Sequence, residues 1–160
     1  MSEILPDNEN VARAVFSPQM IGVDGILLLS AFALRIFKDG TKESYLSVSR
    51  MSVNTWMTDI KGIPQYKNRR LYGYATLNIG QIRSITLYAG NHPIIYDVID
   101  CSNTNCKSHA GIIVQINDTI LTGGHNSIID ELEIDEPEDF VMVAIQAELL
   151  KIAKTNLVRL

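Results

Sequence analysis

The chain has 160 residues, of which 46% are hydrophobic and 20% charged, and its formal net charge is −4 at pH 7. This length is enough for one domain with one hydrophobic core, and the composition excludes disordered, collagen-like and coiled-coil proteins. Nucleic-acid binding driven by charge is not expected, because contacts to phosphates need a basic surface and this chain is acidic.

The sequence also indicates where the protein works. Its longest uncharged apolar stretch, residues 26–34, is far shorter than the ~20 residues of a membrane-spanning helix. The acidic residues 1–10 lack the basic start and the apolar run of a secretion signal. We therefore expect a cytoplasmic protein without membrane contact, in which the two cysteines are free thiols.

Apolar and polar residues alternate along several short runs, as they do in half-buried strands. The predicted strands, in chain order, are 11–16, 45–50, 71–77, 84–88, 94–99 and 110–116, with a short one at 119–122. Residues 26–37 fit either a buried strand or a short helix, and Ser52 can cap a short helix at 53–60.

The clearest helix covers about residues 138–156. Acidic residues and Pro137 stand at its start and Lys151 and Lys154 near its end, which complements the helix dipole. Its first half is mostly apolar, so we expect it to pack on the sheet. The predicted fold is a single α+β domain, a mostly antiparallel sheet with this C-terminal helix packed on it, and residues 1–10 are expected to be flexible.

Cys101, Cys106 and His109 lie in one polar loop between two predicted strands. Read as zinc ligands, with His92, His125 or Asp97 as the fourth, they lack the close cysteine spacing and the second ligand pair of structural zinc loops. A nucleophilic cysteine with His109 as its base is a second interpretation, and a polar turn with inert thiols is the simplest. No metal site is therefore predicted, although zinc stays an alternative cofactor.

A second group of residues follows an order with known chemistry. Arg13 stands in the first predicted strand, Ser47 and Ser49 in a later one, and a glutamate-x-glutamate pair ends at Glu133. This order resembles that of arginine-directed ADP-ribosyltransferases. The resemblance implies that Arg13 binds NAD phosphates, that the serines brace the nicotinamide pocket and that Glu133 polarises the ribose. The chain departs from the pattern by its Ser-Val-Ser motif and by a long gap before glutamates that lie in a general acidic run.

Short motifs over most of the chain also resemble a group of small uncharacterised bacterial proteins. They are Val-Phe-Ser-Pro at 15–18, the serine-x-x-arginine strand at 45–50, the glycine-containing strand at 71–77 and Ser-His-Ala-Gly-Ile at 108–112. The resemblance implies a bacterial protein and carries no assigned activity. It marks Arg50 and His109 as family-like positions and leaves both cysteines outside the shared pattern.

These residues lead to a prediction about a ligand. Arg13, Arg50 and His109 can form a small anion pocket for a phosphate or a carboxylate. The interpretation that the sequence favours is simpler: His109 bonds a neighbouring backbone carbonyl and holds the turn. The basic, aromatic stretch 66–72 can hold phosphates and stack bases, but a solvated loop is the simpler interpretation.

Because the sequence contains no complete catalytic set, we expect a binding or accessory module that acts through a protein partner. The acidic segment 130–139 and the aromatic residues Tyr66, Tyr72 and Tyr74 are the candidate contact surfaces. The alternative is a nucleotide- or NAD-handling enzyme that uses four residues: Arg13, Arg50, His109 and Glu133.

Overall fold

Antiparallel strands form one sheet in the computed structural model, which describes residues 4–160. The strands are β1 (Asn10–Ser17), β2 (Leu46–Arg50), β3 (Arg70–Asn78), β4 (Leu87–Ala89), β5 (His92–Asp100), β6 (His109–Ile116), β7 (Thr119–Ile120) and β8 (Leu157–Arg159). The helices are α1 (Trp56–Lys61), α2 (Ile79–Arg83), α3 (Ser127–Glu131) and α4 (Glu138–Ala153). The predicted α+β class, with a C-terminal helix on an antiparallel sheet, is confirmed.

The strand order brings distant parts of the chain together. It runs β4-β5-β6-β2-β1-β3-β8, with β7 pairing with β6. Strand β6 therefore lies beside β2, and its first residue, His109, is opposite Ser49. The centre of the sheet thus combines strands from the first third of the chain with one that starts after residue 108.

The sheet opens between its two central strands. Within residues 4–160, the ladder between β1 and β2 consists of the pairs Val11 with Arg50 and Ala12 with Ser49. The same register would place Ala14 opposite Ser47, but the strands have separated there. Strand β1 instead pairs along its whole length with β3. The separation leaves a gap beside Arg13, on which the candidate site depends.

Helix α4 covers one face of the sheet. It buries Val141, Ile145, Leu149 and Ala153, which recur every four residues and so form one stripe along the helix. Burying each of the larger side chains contributes about 1.5–3 kcal/mol to folding. Tyr96 of β5 is buried against this helix, and its hydroxyl donates a hydrogen bond to the Ile145 carbonyl oxygen at 2.9 Å.

The strand predicted at 84–88 begins later in the structure, and a short helix precedes it. Residues 79–83 form the short helix α2, and strand β4 begins only at Leu87. The side chain of Asn78 accepts a hydrogen bond from the Gln81 backbone N–H at 3.0 Å, which caps this helix. This cap and the burial of Ile79 and Ile82 stabilise a helix in residues for which no element is predicted.

The end of the predicted C-terminal helix also differs. Helix α4 ends at Ala153, and residues 157–159 turn back as strand β8 beside β3. Gly73 of β3 allows this pairing, since a Cβ atom there would lie 2.0 Å from the Val158 carbonyl oxygen. A close approach of two backbones therefore decides how the chain ends.

Two further segments are residues 26–37 and the described part of the N-terminal segment, residues 4–10. Residues 26–37 contain the 3-10 turn Leu29–Phe32, which buries Ala31 and Phe32. Residues 1–3, part of the segment expected to be flexible, lie outside the described residues. From that same segment, Leu5 is buried in the core and Glu9 is buried beside Arg50.

Loss of the Tyr96 hydroxyl should weaken the attachment of α4 to the sheet. We expect Tyr96→Phe to lower the free energy of unfolding by about 1 kcal/mol, because one buried hydrogen bond is removed. Tyr88→Phe is the matched control, since Tyr88 is 57% exposed on the neighbouring strand. Urea unfolding of both variants measures the difference, and equal stabilities would contradict the role of this bond.

His125 connects the segment before α4 with the helix itself. Its Nδ1 atom lies 2.9 Å from Glu138 Oε2, and its Nε2 atom lies 3.1 Å from Asp130 Oδ2. The other oxygen of Glu138 accepts a hydrogen bond from the Asn126 backbone N–H. The hydrogen bond and the charge of Glu138 raise the pKa of His125.

Stability should therefore depend on the charge of His125. Because its pKa is raised in the folded state, its contribution is fully present below about pH 6.5, its usual pKa, and is lost as the pH rises through the raised value. The stability difference between wild type and His125→Ala should be larger at about pH 5.5 than at about pH 8.5. Urea unfolding at both pH values measures it, and a constant difference would show that the imidazolium contributes nothing.

Candidate functional site

A cavity of about 320 Å³ opens where β1 and β2 separate. It is bounded by these two strands, by α1 and by the residues that lead into β3. Its polar lining residues are Arg13, Arg35, Ser47, Ser49, Asp59, Arg69, Cys106 and His109. The structure therefore brings Arg13, Ser47, Ser49 and His109, four of the predicted site residues, to one place.

Arg13 is the central polar residue of this cavity. Alternation along β1 directs it to the face opposite Ala12 and Ala14, yet all three line the cavity because the sheet is open there. Its Nε atom donates to the Ala31 carbonyl oxygen at 2.9 Å, and Nη1 donates to the Ser47 carbonyl oxygen at 2.8 Å. Nη2 is buried and has no hydrogen-bond partner among the described residues.

The charge of Arg13 also has no directly bonded carboxylate among the described residues. The side chain is only 4% exposed, and it forms no ion pair with any residue from 4 to 160. Burial lowers the pKa of Arg13 to about 10, with Glu43 acting against the shift and Arg35 and Arg69 adding to it. The guanidinium therefore remains protonated at neutral pH and carries a buried positive charge.

Two further arginines line the cavity, and both are already engaged. Arg35 forms an ion pair with Glu43, with Nη2 and Oε2 3.2 Å apart. The Arg69 guanidinium lies 3.8 Å from the centroid of the Phe16 ring, which is a cation–π contact. These two groups add positive potential around Arg13, but each has a partner of its own.

Asp59 is the one carboxylate among the described lining residues. Its Oδ2 atom accepts hydrogen bonds from the Ser108 hydroxyl at 2.5 Å and from the Thr55 hydroxyl at 3.1 Å. The bond from Ser108 lowers the pKa of Asp59, so the group is ionised at neutral pH. The lining as a whole carries three positive charges and one negative charge.

His109 and Ser47 lie side by side at the cavity. Their Nε2 and Oγ atoms are 3.4 Å apart, and burial lowers the pKa of His109, which makes the imidazole neutral at pH 7. The Tyr45 ring lies 5.7 Å from the His109 ring. It occupies space that a side chain at position 111 would fill, because a Cβ on Gly111 would lie 2.6 Å from the Tyr45 ring.

Arg50 does not line the cavity. Strand alternation places it on the face of β2 opposite Ser47 and Ser49, where its Nε and Nη2 atoms each lie 3.0 Å from a carboxylate oxygen of Glu9. Burial acts to raise the pKa of Glu9, but hydrogen bonds from Arg50 and Ser52 outweigh it and leave the pKa lowered. Arg50 and Glu9 therefore form a buried ion pair.

Glu133 also lies elsewhere. It follows α3 in a left-handed backbone conformation with φ of 52°, is exposed, and does not line the cavity. Of the three tyrosines predicted as contacts, Tyr66 is 60% exposed, Tyr74 packs against Trp56 and Tyr72 lies beneath the Arg159 guanidinium. A protein partner stays a prediction.

The two cysteines are free thiols, and Cys106 lines the cavity. Burial raises the pKa of both, with the charge of Asp59 adding to the effect at Cys106 and that of Asp100 at Cys101. A raised pKa reduces the reactive thiolate fraction. No group of three or more His, Cys, Asp or Glu side chains within the described chain is arranged to hold a metal ion.

Sequence reasoning missed three charged residues of the cavity. Arg35 and Asp59 belong to segments whose pattern predicts only core or a short helix, and Arg69 lies in a basic stretch for which a solvated loop is the simpler interpretation. Their spacing along the chain contains no sign that they meet. Only the basic character of residues 66–72 was a usable signal.

Comparison with models of known protein families, with curated proteins and with solved structures found no match to this chain. Over residues 4–160, the structure contains no helix with both the length and the apolar character needed to cross a membrane. The functional assignment therefore depends on the geometry and the charges of the cavity.

Removal of Arg50 tests the structural role of its ion pair. Arg50→Met should lower the free energy of unfolding by about 3–5 kcal/mol, because the Glu9 carboxylate would stay buried without its cation. Lys151→Met is the surface control: Lys151 is 66% exposed and pairs with Glu148 at 3.0 Å, so its loss should cost less than about 1 kcal/mol. Similar urea midpoints for the two variants would contradict this account.

Proposed function

We propose that the protein is a binding module whose cavity between β1, β2 and α1 takes a small anionic ligand. One observation carries the proposal: Arg13 lines a cavity, and its Nη2 atom is buried and has no partner among the described residues. A buried donor on a charged group costs about 1–3 kcal/mol or more when it is left unpaired. A carboxylate or phosphate oxygen at this position would remove that cost by a charge-assisted hydrogen bond.

The surrounding groups support an anion at the same position. Arg35 and Arg69 raise the local positive potential, and the neutral groups Ser47, Ser49 and His109 supply donors that do not repel a ligand. Within the low dielectric of a protein interior, such potentials act more strongly than in water. The binding free energy would therefore come from direct hydrogen bonding to Arg13 and from the positive potential of Arg35 and Arg69.

A binding role is favoured over the NAD-handling alternative. That alternative needs Arg50 and Glu133 to act in the same pocket as Arg13, but neither residue lines the cavity. Arg50 is engaged by Glu9, and the exposed Glu133 follows α3. Location in the cytoplasm and a bacterial source are parts of this proposal that rest on the sequence.

The test compares wild type with Arg13→Met in calorimetric titrations with octanoate, inorganic phosphate and AMP. We expect at least one of these anions to bind wild type, and Arg13→Met to weaken it roughly 10- to 100-fold through loss of a charge-assisted bond. Lys61→Met is the charge-matched control, since Lys61 is exposed and does not line the cavity. It should bind as wild type does.

Stability provides a second readout for the same variant. Arg13→Met loses two hydrogen bonds but also removes a buried cation that is bonded to no carboxylate among the described residues, so its unfolding free energy should fall by less than that of Arg50→Met. The proposal is overturned if none of the three anions binds wild type, or if Arg13→Met binds them unchanged.

A further inference from the structure

We infer that the ligand of this cavity is a monocarboxylate with an apolar body, and not a phosphate or a nucleotide. The inference rests on the proposed function and goes beyond it by naming the ligand class. Its basis is the combination of one unpartnered guanidinium nitrogen on Arg13, an apolar wall and one opposing carboxylate.

The positive charge left open in the cavity limits the charge of the ligand. Backbone carbonyl oxygens accept one hydrogen bond each from Nε and Nη1 of Arg13, which leaves Nη2 as the guanidinium nitrogen with no partner among the described residues. Arg35 is paired with Glu43, and Arg69 is stacked on Phe16. A phosphate group carries close to two negative charges, which exceed the single charge of the one lining guanidinium that has no partner group of its own. A carboxylate has one charge and fits one cationic donor together with a hydroxyl such as that of Ser47.

Asp59 acts against a second negative charge. Its carboxylate lines the same cavity and is ionised, since hydrogen bonds from Ser108 and Thr55 stabilise the charged form. Two anions in one partly buried site repel each other. His109, whose imidazole is neutral, adds no compensating charge. A singly charged ligand with its head at Arg13 and an uncharged body towards α1 avoids this repulsion.

The wall of the cavity matches an apolar body. Phe16, Met20 and Ile60 are 2%, 5% and 1% exposed, and they line the cavity together with Ile63. Each CH2 group buried against such a wall strengthens binding, whereas a ribose hydroxyl placed there would lose its hydrogen bonds to water. The chemistry of the lining therefore disfavours a nucleotide beyond the effect of its charge.

The volume sets the size of that body. About 320 Å³ is the space of roughly ten water molecules in the liquid. A ligand of about ten non-hydrogen atoms fills it, at the lower end of the size range of small-molecule pockets. Medium-chain fatty acids and arylalkanoic acids have this size and this division into one anionic head and an apolar remainder.

The experiment is a calorimetric series with matched ligands. Butanoate, hexanoate and octanoate vary the body, while octanol and octyl phosphate vary the head of the same chain; inorganic phosphate and AMP complete the set. We expect affinity to rise roughly fourfold per added CH2 until the cavity is filled. Octanol and octyl phosphate should each bind at least about tenfold more weakly than octanoate.

Two variants measure separately what the carboxylate head and the apolar body of the ligand contribute to affinity. Arg13→Met should weaken octanoate to the level of octanol, and Ile63→Ser should reduce the gain per CH2. Val53→Ser is the control for Ile63→Ser, because Val53 is also partly buried but does not line the cavity. If Arg13→Met fails to fold, nuclear Overhauser effects from the terminal methyl of octanoate to Ile63, and from its α-CH2 to Ser47, report the same orientation in wild type.

The outcomes distinguish the two proposals. If octyl phosphate, inorganic phosphate or AMP binds more tightly than octanoate, and does so through Arg13, the ligand class is wrong and the anion-binding function stands. If octanoate and octanol bind equally, or no anion binds at all, both proposals are overturned. The inference is supported only when octanoate is preferred, its affinity depends on chain length, and Arg13→Met abolishes that preference.

Discussion

The site depends on how the protein satisfies the backbone where β1 and β2 separate. A carbonyl oxygen released from a ladder must find another donor, because an unpaired buried backbone group is costly. Here the guanidinium of Arg13 supplies it, donating to the Ser47 carbonyl and, with a second nitrogen, to that of Ala31 in the 3-10 turn. The strands can therefore part at the centre of the sheet, and the gap becomes a cavity with a cation at its base.

The two buried arginines of the central strands illustrate what decides the role of such a residue. Arg50 meets Glu9 with two hydrogen bonds, which makes a closed structural pair. Arg13 meets only backbone carbonyls, which leave its charge and one of its nitrogens open. Both side chains are nearly as buried as each other, at 4% and 8% exposed. The difference lies in the bonded counter-charge. Arg50 is bonded to a carboxylate, whereas Arg13 is not, so only Arg13 is suited to bind an anionic ligand.

Much of the fold could be read from local patterns. Alternation along residues 11–16 and the apolar run at 110–116 identify β1 and β6, and the charges at its two ends identify α4. The short elements could not be read in this way. Helix α2 depends on the cap by Asn78 and on buried contacts of Ile79 and Ile82, and β8 exists because Gly73 lets its backbone approach β3. Such elements are stabilised by tertiary partners more than by their own sequence.

The residue types of the site and the strands that carry them can be read from the amino-acid sequence: Arg13 on β1, Ser47 and Ser49 on β2, and His109 at the start of β6. Which of them meet depends on the tertiary fold. Folding joined Arg50 to Glu9 across 41 residues of chain and brought Arg35 and Asp59 to the cavity, for which the sequence has no marker. Which charges become partners depends on strand order, on the face of each strand and on the point where a ladder stops. Each of these is set by pairing between distant segments and not by the residues next to the charge.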